Sequence, residues 1–389
     1  MPRLIAIDLP GGEAFIEAVR RAWTVGDAVL PIDQRLPVAA RLALVDSMAP
    51  AAIVDVDGER AVPNSRGVDD GDALVMPTSG STGSPKGVVL THAQLDASAA
   101  ATSARLGVSP DDHWLACLPL AHIGGFSVLT KAWASGTPLT VLPGFEAGAV
   151  MAAARQGCTL VSLVPTALAR IDPALFRLIL LGGSRPPADR PANCVTTYGL
   201  TESGGGVVYD GHPLDDVQVR IGTNGTGTNG TDSGREGEIF LRGPMLTRTY
   251  RDGTVPLDDH GWLATGDLGE WRSDGRLHVA GRRGDLIITG GENVWPETVE
   301  AALREAAGVA DAAVAGVPDP EWGQRVVAWI VPADAADPPS LTRLRAAVAE
   351  RLPTFMAPKE LVLIDVVPRT ALGKVARARL TSGRERSEG

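Results

Sequence analysis

The chain has 389 residues, 44% of them apolar and 21% charged, and a net charge of −10. Its length exceeds what one ordinary hydrophobic core organises, so two domains or more are expected. The acidic balance argues against general binding to nucleic acid or to anionic membranes, while leaving room for a local anion site. The first eight residues are interrupted by charge and do not read as a signal peptide, and no run of about 18 apolar residues suggests a membrane span. Three cysteines, Cys117, Cys158 and Cys194, stand far apart in apolar runs. That spacing fits buried free thiols better than zinc or redox work, and a cytoplasmic location is expected.

The first chemically loaded element lies between strand-like runs at 73–76 and 88–90. It reads Pro77-Thr78-Ser79-Gly80-Ser81-Thr82-Gly83-Ser84-Pro85-Lys86-Gly87. Glycines let backbone N–H groups turn toward an anion. Hydroxyls add donors, and Lys86 adds a compact positive charge. This is the chemistry of a loop for nucleotide phosphates. It is not a Walker A loop, because Pro85 precedes the lysine and Gly87 follows it. A helix is predicted at 91–106, opened by a capping box of Thr91 and Gln94.

Short apolar runs at 114–120, 138–142, 159–164 and 178–181, each bounded by Gly or Pro, read as strands. Alanine-rich helical stretches between them argue for parallel α/β layering. His122 follows the first run, ahead of Gly124 and Gly125; alone, such a histidine reads as a satisfied buried residue. The last run ends in Gly182-Gly183-Ser184, at the strand end where open α/β sheets receive ligands. Thr197-Tyr198-Gly199-Leu200-Thr201-Glu202 holds one of only three tyrosines. A low-complexity stretch at 223–231 reads as a mobile surface insertion.

Thr265-Gly266-Asp267 is weak alone and gains weight from Gly281-Arg282 shortly after it. Beyond residue 281 the texture changes. Strand-like 285–289, a Gly-Gly turn, a helix from Pro296, strands at 312–317 and 324–331, a helix at 340–352 and a strand at 360–366 form a compact α+β unit. Pro368-Arg369-Thr370-Ala371-Leu372-Gly373-Lys374 precedes a polar tail from 381, expected to fray. Only four of the 36 basic residues are lysines: Lys86, Lys131, Lys359 and Lys374.

In this order the motifs resemble those of the acyl-adenylate-forming enzymes, over residues of about 70 to 380. The resemblance implies an α/β fold: a large layered N-terminal domain (1–281) for ATP and the acyl group, and a small mobile α+β C-terminal domain (282–389). It implies that Thr78, Ser79, Gly80, Ser81, Thr82, Gly83 and Lys86 hold the departing phosphates. Gly182, Gly183 and Ser184 would lie under adenine and the acyl group. Tyr198 would stack on adenine, with Gly199 beside it in the nucleotide site, Thr201 would bond the α-phosphate, and Glu202 would help hold Mg²⁺. His122 would shape the acyl pocket, and Asp267 and Arg282 would contact the ribose. Gly291 and Glu292 would line the pantetheine tunnel, and Lys374 would be the catalytic lysine. The family's hinge residue falls on Gly284 here, with Asp285 next, a departure from its usual Asp or Lys.

The implied reaction activates a carboxylic acid with ATP through an acyl-adenylate and passes it to coenzyme A, releasing AMP and pyrophosphate. About 77 residues precede the phosphate loop. With the 114–122 and 204–211 segments, this compact form is similar to the short actinobacterial 2-succinylbenzoate–CoA ligases of menaquinone synthesis. Gly204 to Gly206 would leave room for an aromatic acid; Arg170 and Lys131 are candidates for its second carboxylate. No carrier module follows, which favours free CoA as acceptor. A homodimer is the family expectation. The alternatives are another aryl- or short-acyl-CoA ligase, an amide synthetase, or a non-catalytic nucleotide-binding sensor.

Overall fold

Alternation in the first strands sets the layers. The computed structural model describes all residues except 80–84, 184–185, 188, 224–225, 230–235, 370–374 and 383–389. In β1 (Leu4–Ile7), Ile5 and Ile7 enter one buried cluster while Leu4 and Ala6 enter another, on the opposite face. The period of two and burial on both sides mark a strand covered by helices on each face. β2 (Ala28–Pro31), β3 (Ala52–Asp55), β4 (Gly58–Ala61), β5 (Asp72–Ser79) and β6 (Pro85–Thr91) complete this sheet in the order β6-β5-β2-β1-β3-β4. The short strand Thr249–Tyr250 lies outside β6.

A second sheet contains β7 (Trp114–Ala116), β8 (Leu139–Val141), β9 (Leu160–Leu163), β10 (Leu178–Leu181), β11 (Cys194–Leu200), β12 (Gly205–Tyr209) and β13 (His212–Pro213), in the order β13-β12-β11-β10-β9-β7-β8. β7 to β11 pair in parallel, and β12 runs antiparallel to β11. The expected parallel layering is therefore present. β7 is shorter than predicted: Pro119 has no N–H to give a ladder, and the chain turns there before the next helix.

Between the two sheets lie α1 (Glu13–Thr24), α3 (His92–Leu106) and α4 (Ile123–Ser135), which bury Phe15, Leu95 and Phe126 against residues of both. α2 (Val38–Met48) covers the outer face of the first sheet through Leu44 and Met48. α5 (Ala147–Arg155) covers that of the second through Val150 and Ala153. Each of the larger of these buried side chains contributes roughly 1.5–3 kcal/mol. α3 has the predicted capping box: Thr91 Oγ1 accepts from Gln94 N at 3.2 Å, and Thr91 N donates to the Gln94 side chain at 2.9 Å.

The 223–231 stretch differs from expectation. Thr226–Asn229 is a strand antiparallel to Gln218–Thr223, with Thr223 opposite Thr226. Asn224 and Gly225, between them, lie outside the described residues. Asn-Gly flanked by strands is a strong short hairpin signal, which a reading by composition passes over.

The chain divides into two compact units. The first holds residues 1–234, 240–265 and 271–277, and the second 235–239, 266–270 and 278–389. In the second, Ile287–Thr289, Glu292–Val294, Val309–Asp319, Gly323–Pro332 and Glu360–Leu363 form one sheet. Helices Pro296–Arg304 and Leu341–Ala349 pack on it through Val299, Leu303, Leu344 and Val348. The predicted strand at 285–289 begins late, because Arg283–Asp285 is a 3₁₀ turn. The predicted tail begins late too: Thr381 and Ser382 close the helix Arg377–Ser382.

Candidate active site

β5 and β6 form an antiparallel hairpin in which Thr78 stands opposite Lys86 and Ser79 opposite Pro85. The loop they present carries Gly80, Ser81, Thr82 and Gly83, which lie outside the described residues. Lys86 points its ammonium at the Tyr250 ring, 5.0 Å from the centroid. The Tyr250 hydroxyl donates to Glu202 Oε1 at 2.9 Å. Thr247 N donates to the Glu202 carbonyl at 2.7 Å, and Thr247 Oγ1 donates to Val89 O at 2.6 Å. Three distant segments are thus joined behind the hairpin mouth. Tyr250 sits in no motif, although its residue type is as scarce as that of Tyr198 and is the signal that could mark it.

Glu202 Oε2 has no hydrogen-bond partner among the described residues. No three His, Cys, Asp or Glu side chains cluster as a ready-made metal site among them. One half-buried carboxylate suits Mg²⁺, which keeps waters and substrate oxygens as its other ligands.

The floor is built from strand ends. Gly182 N donates to Leu163 O at 3.1 Å, and a Cβ at Gly182 would stand 2.6 Å from Thr197 Oγ1. Ser184 lies outside the described residues; Gly183, before it, has φ +84°. In β11, Tyr198 is half-buried opposite Val208, at a register shift before Gly199. A Cβ on Gly199 would stand 2.0 Å from Gly205 O, so only glycine lets β11 and β12 meet there. Thr201 and Glu202 follow on a 3₁₀ turn, Thr201–Ser203, and the Ser203 hydroxyl lies 2.8 Å from Gly205 O.

His122 caps the start of α4 without a side-chain bond to it. Its Nε2 lies 3.0 Å from Asp33 Oδ2. Arg35 grips the same carboxylate through Nε at 2.8 Å and a terminal nitrogen at 2.7 Å, and that nitrogen is 3.1 Å from His122 Nε2. An ionised carboxylate can only accept, so in the contact with Asp33 it is Nε2–H that donates. Burial pushes the Asp33 carboxyl up, but the bonds from His122 and Arg35 more than offset this and hold it well below the usual carboxylate range. Neither Asp33 nor Arg35 carries a motif that would have marked it.

Lys131, on α4, is buried, and burial alone pushes its ammonium down to about 8. Its Nζ donates to Ser127 Oγ at 3.0 Å. Arg170, the other cation considered, stacks on Phe145 at 5.2 Å from the ring centroid.

The remaining candidates belong to the second unit. Asp267 Oδ1 pairs with an Arg282 terminal nitrogen at 3.1 Å. Glu238 flanks them, accepting from Gly266 N at 3.1 Å and from Arg283 at 2.7 Å. Gly290 and Gly291, both at positive φ, turn the chain so that Thr289 pairs with Glu292, which is exposed. Asp285 accepts from Arg377 at 3.4 Å. Lys374 lies outside the described residues. Its segment is bounded by an antiparallel bridge between Arg369 and Val375, and Arg369 is held by Asp311 at 2.6 Å.

Residues 63–251 match the AMP-binding enzyme family, and residues 298–374 match the AMP-binding enzyme C-terminal domain. A "Probable 2-succinylbenzoate--CoA ligase" of Mycobacterium tuberculosis is 41% identical over 340 residues, covering 80% of this chain and 85% of that one. Among solved structures, o-succinylbenzoate CoA synthetase from Bacillus subtilis in complex with the acyl-adenylate intermediate OSB-AMP superposes with a TM-score of 0.86 at 28% identity. It covers 97% of this chain and 88% of that one. The same synthetase in complex with ATP and magnesium ion gives 0.85 at 28% identity, covering 97% and 89%.

Proposed function

The chain belongs to the AMP-binding enzymes, and from that membership we propose that it is an acid–thiol ligase joining 2-succinylbenzoate to coenzyme A at the expense of ATP. One observation of geometry carries the reading: Tyr250 links the Lys86 ammonium to the Glu202 carboxylate behind the hairpin mouth. A cation for leaving phosphates and a hard carboxylate side by side are what adenylation asks of a protein. The similarity to the 2-succinylbenzoate ligases narrows the acid.

In the first half-reaction a substrate carboxylate oxygen bonds to the α-phosphorus of ATP. The bond from that phosphorus to its bridging oxygen breaks, and pyrophosphate leaves. Positioning and charge neutralisation dominate such chemistry. Lys86 and the loop donors receive the departing phosphates, and Lys374 reaches the α-phosphate and carboxylate. Magnesium, when bound, would be held by Glu202 with the phosphates and would offset their charge. In the second half-reaction the thiol sulfur of CoA bonds to the acyl carbon, the bond to AMP oxygen breaks, and the thiol proton passes to solvent. His122 borders the acyl group, Asp267 and Arg282 the ribose, and Gly291 with Glu292 the pantetheine arm. Between the halves a C-terminal domain turns about Gly284–Asp285 and withdraws Lys374. The same reading sets the enzyme in the cytoplasm as a homodimer; among the described residues no helix is long and apolar enough to cross a membrane.

The test is pyrophosphate release by purified protein with Mg²⁺–ATP and a panel of acids, with and without CoA, the products weighed by mass spectrometry. 2-Succinylbenzoate should give the fastest release and a CoA thioester. Amide formation with an added amine instead of a thioester would favour the amide synthetases. ATP binding without pyrophosphate release from any acid would make the protein a sensor.

A further inference from the structure

A buried ammonium without a counter-ion is expensive, and the chain keeps one. Lys131 is buried on α4, yet Nζ makes one hydrogen bond, to Ser127 Oγ, and no carboxylate among the described residues pairs with it. It is one of four lysines among 36 basic residues. The Trp114 ring lies beside it, with Nζ 6.0 Å from the centroid, and Trp114 Nε1 is itself buried without an acceptor. An ammonium with donors to spare, beside an indole whose N–H has no acceptor, leaves an acceptor missing.

The direction of the lysine gives that acceptor a place. Side chains on a helix lean toward its N-terminus, so Lys131 carries its charge back one turn to Ser127, toward His122. Ser127 borders Gly205: a Cβ on Gly205 would sit 3.6 Å from Ser127 Oγ. Gly205 pairs with Leu200, next to Thr201 and Glu202. The ammonium therefore stands one hydroxyl and one side-chain-free residue behind the strand end that carries the adenylation motif.

We propose that Lys131, with Ser127 in front of it, is the specificity-determining cation for the second carboxylate of the acid, so that the enzyme selects aromatic dicarboxylates over monocarboxylates of the same shape. This rests on the reading above, in which 2-succinylbenzoate is the acid. The substrate supplies the anion that the folded chain lacks, and the hydroxyl of Ser127 passes the lysine's field to it.

The test compares 2-succinylbenzoate with 4-oxo-4-phenylbutanoate, the same acid without its ring carboxylate, in wild type, Lys131→Met, Lys131→Arg and Ser127→Ala. Removing a charged hydrogen-bond partner corresponds to roughly ten- to hundredfold. Lys131→Met should lose about that much kcat/KM for the dicarboxylate, mainly through KM, and nothing for the monocarboxylate. Retained monocarboxylate turnover shows that the variant is folded. Lys131→Arg should recover part of the loss, and Ser127→Ala should lie between. Equal loss for both acids, or unchanged discrimination, overturns the assignment. Wild-type protein inert toward both acids overturns the substrate reading and this assignment with it, whereas an active wild type with an indifferent Lys131→Met variant overturns this assignment alone.

Discussion

Asp33 is buried, and its carboxylate joins Arg35 to His122. Its lowered pKa means that folding favours the ionised form. The stability it adds is therefore full above the ordinary carboxylate range and is lost only as pH falls through the lowered folded value. Asp33→Asn keeps the shape and removes the charge. Near neutral pH it should cost about 2 kcal/mol, and the gap to wild type should close in strong acid, as read by denaturant unfolding across pH. If Asp33 also sets the His122 ring, the variant should slow thioester formation more than adenylation; equal slowing would make the contact structural only. Tyr250 admits a cleaner test, because Tyr250→Phe keeps the ring under Lys86 and removes the hydroxyl that bonds Glu202. Pyrophosphate release should fall roughly tenfold and more Mg²⁺ should be needed for half-maximal rate. An unchanged Mg²⁺ requirement would remove Tyr250 from the site.

At the scale of elements, the meeting of β11 and β12 is the most constrained feature of the site. Thr201 and Glu202 emerge from it, and Gly199 allows two backbones to approach where no side chain fits. Gly199→Ala should cost about 3 kcal/mol by forcing the strands apart, lowering the melting temperature and abolishing pyrophosphate release together. Much of this level is legible in sequence, because it is written in local patterns. The short apolar runs at 159–164 and 178–181 are β9 and β10, and Thr91 with Gln94 announces α3. What escapes is written across distance. The bond from His122 to Asp33 spans 89 positions and that from Tyr250 to Glu202 spans 48, and neither partner has a local signature. The pairing of 218–223 with 226–229 is hidden for a different reason: low-complexity composition outweighs the Asn-Gly turn signal within it.

At the scale of the molecule, the residues proposed to carry the chemistry fall in two units. Lys86, Tyr198, Thr201 and Glu202 belong to the first, while Asp267, Arg282, Gly291, Glu292 and the segment bearing Lys374 belong to the second. The match to the AMP-binding C-terminal domain ends at residue 374. An antiparallel bridge pairs Arg369 with Val375, and Asp311 holds Arg369. If the flanking residues Arg369 and Val375 move with their unit, Lys374 is delivered by motion of that whole domain. If one domain serves both half-reactions in turn, losing the lysine should separate them. Lys374→Ala should lower adenylation at least about 100-fold, the scale of a lost electrostatic stabiliser. Thioester formation from supplied acyl-adenylate and CoA should remain within a few-fold of wild type, because Gly291 and Glu292 are untouched. Both steps are measurable on one preparation, by pyrophosphate release and by thioester absorbance. Equal loss in the two would mean that Lys374 supports a common closed state, and the turning domain would have to be given up.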